Sequence, residues 1–240
     1  MPKLPRVAPA LALNEVRLAK MARRFCGFAL FLMAACALIL PTPASAQRKY
    51  FAHDDVALSG SYVVGTSVTG TIPGSVPPNS QTEKPSTSGA IMFTGRYTRS
   101  KFIGFEGNFS FTRLDEDFSG IAPGTKQQFL IGGAQSTIEE FSLGYIAHAP
   151  TMFGVVPFAG AGIGVLSFEP TPYGGQSLPP QARMEYYGTI GADAAITPHF
   201  GVRAQFRDLI YKAPDYGQNY LTTGKRTQTF EPTIGFYLRF

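Results

Sequence analysis

Tryptophan is absent from the 240 residues, charged side chains make up only 15%, and there are just two cysteines and three histidines. Both cysteines, Cys26 and Cys36, fall within the first 46 residues. The remainder of the chain therefore carries neither a disulfide framework nor a thiolate metal site. So little charge excludes a charge-rich disordered chain and a basic nucleic-acid-binding tail. No segment of helical period and useful length follows residue 47, which excludes a coiled coil.

The excess of positive charge is local. Six of the 21 Lys and Arg residues (Lys3, Arg6, Arg17, Lys20, Arg23, Arg24) and one of the 16 acids (Glu15) precede residue 47, leaving 15 of each sign beyond it. The formal charge of +5 thus belongs to the N-terminal segment, and nothing pulls the rest toward nucleic acid.

That segment has the order of an export signal: Arg23-Arg24, an unbroken apolar run of 16 residues from Phe25 to Leu40, then Pro41-Thr-Pro-Ala-Ser-Ala46 before Gln47. The run is shorter than the ~20 residues of a spanning helix. Residues 1–46 read as a signal peptide cleaved between Ala46 and Gln47, with a conventional signal beginning at Met21 and residues 1–20 a start-site extension. Two competing readings are a retained anchor and lipoprotein processing at Met33-Ala-Ala-Cys36, although the apolar run continues past that cysteine.

Beyond residue 47 the pattern changes to period two, rich in aromatic, β-branched and glycine residues. Eight such runs lie near 55–65, 89–98, 102–113, 136–148, 154–168, 183–196, 201–212 and 227–240. Three connections are tight (Arg99-Ser-Lys101, Ala149 to Phe153, Thr197-Pro-His-Phe200) and alternate with four longer ones near 66–88, 114–135, 169–182 and 213–226. Short and long links therefore gather at opposite ends, as in an up-and-down transmembrane barrel with short periplasmic turns and long external loops. The Pro/Ser/Thr/Gly-rich stretch 66–88 reads as a mobile loop.

The two faces of the strands differ in chemistry. In the last run Phe230, Pro232, Ile234, Phe236, Leu238 and Phe240 share one side, and Thr229, Glu231, Thr233, Gly235, Tyr237 and Arg239 the other. Ile103, Phe105, Gly107, Phe109 and Phe111 oppose Gly104, Glu106, Asn108, Ser110 and Thr112; Phe141, Leu143 and Tyr145 oppose Glu140, Ser142, Gly144 and His148. The polar side is small residues with isolated charges: Arg96, Glu106, Glu140, Glu185, Asp193, Arg203, Arg207 and Glu231. Such charges suit ion pairing in the narrow lumen of an eight-stranded barrel, with Gly160, Gly162, Gly164, Gly188 and Gly191 leaving room for Arg and Tyr. Tyr and Phe supply the interfacial girdles.

The C-terminal Ile234-Gly-Phe-Tyr-Leu-Arg-Phe240, with a terminal Phe and apolar residues at every second position, resembles the assembly signal of outer-membrane barrels. Together with the export signal and the eight runs, residues 47–240 resemble the small OmpA-like outer-membrane β-barrel superfamily. The resemblance implies insertion by the barrel assembly machinery, read from Ile234, Phe236, Leu238 and Phe240. It also implies contact with outer-membrane lipid and lipopolysaccharide, a monomer, external long loops, and both mature termini in the periplasm. The chain ends at its last strand, so the peptidoglycan-binding domain of the full OmpA architecture is not expected.

Other chemistry is weak. Gly160-Ala-Gly-Ile-Gly164 lacks the strand-to-helix setting of a nucleotide loop. His53, His148 and His199 are expected near the periplasmic rim without a serine partner, so no catalytic residue, cofactor or metal is implied. His53-Asp54-Asp55 reads as a solvated rim and Asp115-Glu-Asp117 as an external acidic loop, each with too few oxygens for calcium. Asn108-Phe-Ser110 is a glycosylation-type triplet inside a strand.

Four roles remain open from sequence: a structural or surface-interaction barrel with a plugged lumen, a narrow or gated pore, an adhesin or ligand binder using Tyr173, Tyr216 and Tyr220, and a soluble lipocalin-like binder. The missing tryptophan and the terminal Phe strand disfavour the last.

Overall fold

The computed structural model describes residues 53–71, 80–100, 102–121 and 128–240. The signal segment and its Ala46–Gln47 junction lie outside the described residues. In chain order the strands are β1 (His53–Gly65), β2 (Val68–Thr71), β3 (Ser80–Pro85), β4 (Thr87–Thr98), β5 (Ile103–Ile121), β6 (Gln128–His148), β7 (Val155–Pro170), β8 (Gln181–Ala195), β9 (Phe200–Lys212) and β10 (Arg226–Arg239). Eight of them pair antiparallel around a ring, β1–β4–β5–β6–β7–β8–β9–β10 and back to β1, so the sheet closes. Closure matters in hydrocarbon, where no water can satisfy an edge strand's free N–H and C=O groups.

Alternation dictates the two surfaces. Along β10 the residues from Arg226 to Leu238 alternate between outward and buried positions, with Ile234, Phe236 and Leu238 at least half exposed and Thr233 and Tyr237 buried. Outward rings form cross-strand ladders, as where Phe109 stacks between Phe93 at 6.5 Å and Phe141 at 4.8 Å. Phe200 stacks on Phe236, centroids 5.6 Å apart.

Two of the expected long loops are different structures. The stretch 66–88 contains β2 and β3, a hairpin whose second strand pairs with the outer part of β5, Gln81 to Gly120 and Pro85 to Glu116. Its Gln81, Glu83 and Pro85 are buried in strict alternation, a pattern that its Pro/Ser/Thr composition obscured. The stretch 114–135 is mostly strand as well, because β5 runs 19 residues and β6 runs 21. At ~3.3 Å per residue and a tilt of ~40° these strands rise about 50 Å, well beyond a ~30 Å hydrocarbon core, and stand clear of it at one end.

This continuation also divides Asp115-Glu-Asp117. Asp115 and Asp117 point outward while Glu116 is buried, so the three acids do not share a loop or a face. The opposite end has tight turns, including Thr197 to Phe200, where the Thr197 hydroxyl accepts from the Phe200 N–H at 3.0 Å. Gly188 also departs from expectation, since it faces outward and frees no lumen space.

Candidate functional site: the lumen and its outer mouth

Every one of the eight charges expected on the polar face lies inside the barrel, none more than 4% exposed. Strand register brings them into two groups. Arg96 stands opposite Glu106 and bonds it at 3.0 Å, while its other amino group reaches across the lumen to Asp193 at 3.2 Å. Asp193 stands opposite Arg203, whose Nε donates to it at 2.7 Å and whose Nη2 donates to Asp55 at 2.9 Å. The chain Glu106–Arg96–Asp193–Arg203–Asp55 thereby ties five strands together. Ring faces line it: Arg96 lies 4.3 Å from the Phe158 centroid and Arg203 5.2 Å from that of Tyr237.

The second group centres on Arg207, which donates to Glu231 at 2.9 Å and makes two hydrogen bonds to Glu140. Ser110 and Ser142 donate to the same Glu140 at 2.9 and 2.7 Å. Tyr187 links the two groups, its hydroxyl donating to Glu106 at 3.0 Å and its ring lying 4.8 Å from the Arg207 guanidinium. Gly162 makes this possible, because a Cβ there would stand 2.4 Å from Tyr187 Cε1. Glu185 is fully buried and faces the charges of Glu140 and Arg207. Each of the three buried guanidinium groups is thus paired with two carboxylates, although Arg96 Nε, Arg203 Nη1 and Arg207 Nε make no hydrogen bond.

Beyond Arg207 aliphatic side chains join Ser110, Thr112, Thr229 and Glu231 in the lumen lining. A cavity of about 20 Å³ lies among Val63, Leu114, Ile138, Leu166, Leu209 and Tyr211. That is room for about one water. Farther out, the connection 213–225 folds inward, and Tyr216 is completely buried, its hydroxyl donating to Glu116 and sharing a 2.7 Å hydrogen bond with Ser136. Tyr216 adopts φ +48°, an uncommon conformation for a non-glycine residue. Gln181 holds it there by accepting from the Asp215 and Tyr216 N–H groups at 3.0 and 3.1 Å. Asp215 in turn lies 2.8 Å from Arg183. Burial raises the Asp215 carboxyl, but hydrogen bonds from Gln181 and Gly217 and the Arg183 charge outweigh it and hold the group below its ordinary value.

A closed sheet of eight strands with a polar, ion-paired interior and an apolar exterior is the geometry of a barrel built for a bilayer, and the sequence matches the outer membrane protein beta-barrel domain over residues 32–239. The chain belongs to that outer-membrane barrel family. Among solved structures it is similar to the outer membrane protein OprG from Pseudomonas aeruginosa, with TM-score 0.53 and 12% identity over 79% of this chain and 96% of that one. Neisserial surface protein A (NspA) gives TM-score 0.49 and 14% identity over 78% of this chain and 97% of that one. No curated protein matches.

In this outer-membrane barrel several residues stand elsewhere than the sequence suggested. Asp55, read as part of a solvated rim, is 3% exposed and pairs with Arg203. Tyr216, read as a surface contact, is completely buried, whereas Tyr173 and Tyr220 are exposed. His199 sits in its short turn with Nδ1 3.1 Å from the Arg239 carbonyl, and His148 ends β6 against the Phe158 ring. Glu83 and Glu116 are two further inward acids that sequence reasoning missed, and alternation along 80–85 and 114–118 was the signal that could have found them. Burial, and next the charge of Glu116, push the Glu83 carboxyl well above the usual range. Among the described residues no group of three or more His, Cys, Asp or Glu side chains is placed to hold a metal ion. Ile234, Phe236, Leu238 and Phe240 all face outward on or just past the last strand.

Proposed function

We propose that this outer-membrane barrel is a closed, non-conducting protein with a structural or surface-interaction role and no catalytic activity. The observation that carries the reading is the lumen, crossed by Glu106–Arg96–Asp193–Arg203–Asp55 and again by Glu140–Arg207–Glu231. An ion entering the lumen meets two levels of side chains paired with one another, and the cavity beyond Arg207 is about 20 Å³. In this reading the mature protein begins at Gln47, sits as a monomer with both termini in the periplasm, and presents the ends of β5 and β6 with the 171–180 and 213–225 connections to the exterior. Its outward aromatic belt contacts lipid, and the polar overhang contacts lipopolysaccharide. The assembly machinery reads Ile234, Phe236, Leu238 and Phe240, which form an apolar row on the outer face of the closing strand.

Planar-bilayer recording of the refolded barrel is the direct test. The expected result is a silent membrane at protein levels that give full insertion. Sustained single-channel steps would displace this reading in favour of a narrow pore.

A further inference from the structure

The mouth at the long-strand end holds a set of buried oxygen donors that the barrel leaves only partly satisfied. Gln81 and Glu83 are successive inward residues of β3, and Glu116 is inward on β5, one diagonal step from Glu83, because Phe118 stands opposite Glu83 and Pro85 opposite Glu116. Their exposures are 0%, 1% and 2%. Both amide atoms of Gln81 and Oε2 of Glu83 have no hydrogen-bond partner. Neither Glu83 nor Glu116 has an ion pair among the described residues, since Arg183 lies against Asp215 instead. Arg183 is the one cation whose charge reaches Glu83, and it is already bonded to Asp215. A buried carboxyl oxygen and a fully buried amide with nothing to bond constitute an expensive arrangement unless something fills it.

We propose that Glu83, Glu116 and the side-chain carbonyl of Gln81 form a binding site for a hard divalent cation of the calcium type. The donors are all oxygen, with no imidazole or thiolate, which favours calcium or magnesium over zinc or copper. Two carboxylates neutralise the ion, and Gln81 Oε1 and water complete a shell of six to eight oxygens. The sequence stretch Asp115-Glu-Asp117 contributes one ligand through its inward Glu116, and the outward Asp115 and Asp117 contribute none. Bound there, the ion joins the β2–β3 hairpin to β5 and, through the Tyr216 hydroxyl on Glu116, to the 213–225 connection. It therefore fastens three parts of the outer mouth at one point.

The absence of tryptophan gives a clean probe, because terbium(III) bound at Glu116 would be sensitised by the adjoining Tyr216. The mature barrel, refolded in detergent without divalent ions, is titrated with terbium and then with calcium. The expected result is saturable luminescence displaced by calcium, lost in a Glu83→Gln, Glu116→Gln double variant and kept in Asp115→Asn, Asp117→Asn. Luminescence that is absent from the native barrel, survives the inward double variant, or vanishes with the outward one overturns the proposal. Should the inward double variant fail to fold, Gln81→Leu keeps both acids. Calcium should then raise the melting temperature of the native barrel and leave that of Gln81→Leu unchanged, whereas equal shifts in both overturn the site.

Discussion

Arg207 shows how much one side chain is asked to do in this lumen. It is completely buried, bonds Glu140 and Glu231, and faces Glu185, so three carboxyls depend on one guanidinium. Arg207→Ala leaves those acids buried without a counter-charge, and the expected loss is about 3–5 kcal/mol, as for other broken buried pairs. Arg207→Lys keeps the charge but cannot reproduce the forked contact to Glu140, so it should fall between the two. Urea unfolding in detergent, read by heat-modifiable mobility, measures both; equal stability of all three proteins would contradict the assignment. Asp215 gives a prediction in pH. Its carboxyl is held low in the folded state, so its stabilising contribution is complete above the ordinary carboxylate range and is lost as pH falls through the lowered folded value. Protection of the Tyr216 and Gly217 amides, taken relative to their intrinsic exchange rates, should fall in acid for the native barrel and respond less in Asp215→Asn. Identical profiles would show that Asp215 does not hold the connection.

At the scale of elements, the last strand carries different chemistry on its two faces. Inward, Thr229, Glu231, Thr233 and Tyr237 are buried, and Glu231 completes the Arg207 group. Outward, Ile234, Phe236, Leu238 and Phe240 range from 50% to 73% exposed, and none of them touches the ion-paired interior. Removing Phe240 should therefore spare barrel stability once folded, while lowering the amount assembled in cells. Comparing in vitro refolding with the heat-modifiable fraction in outer membranes separates these effects, and unchanged assembly in cells would refute the signal. The β2–β3 hairpin is the other instructive element. Its Gln81–Pro85 strand covers the outer edge of β5, which projects past the main ring and would otherwise present free backbone groups.

For the whole molecule, the question is whether the interior blocks passage by pairing or by volume. Replacing Asp193, Arg203, Glu140 and Arg207 by serine removes two positive and two negative groups together, so net charge is held while large side chains are lost from both levels. If the native barrel is closed as proposed, this variant should show conductance steps where the native protein is silent. If it folds and stays silent, the closure resides at the long-strand end, around Tyr216, and the ion-paired levels are not the barrier. The aromatic and aliphatic belt is untouched by these changes, so insertion into the bilayer should be unaffected.

Much of this architecture was legible in the amino-acid order because a β-strand has period two, and a barrel in lipid inverts the usual chemistry of its faces. Glu106, Glu140, Arg203 and Glu231 could be assigned to the lumen from alternation alone, and the terminal Phe row from its spacing. Composition misled where polar residues form strands: Ser80–Pro85 and Leu114–Ile121 look like loop material, yet they alternate between buried and exposed positions. Asp55 was hidden for the same reason, by two polar neighbours at a strand entrance. Which charges meet was undetermined by sequence, since Arg203 and Asp55 are 148 residues apart and Tyr216 and Glu116 are 100 apart. The order of residues determined the strands, their two faces and the even ring they close into, because those follow from local periodicity. Only the closed sheet decided the pairing of Arg207 with Glu140 and Glu231 and the inward turn of Tyr216, because register around a barrel sets which distant side chains share the same height in the lumen.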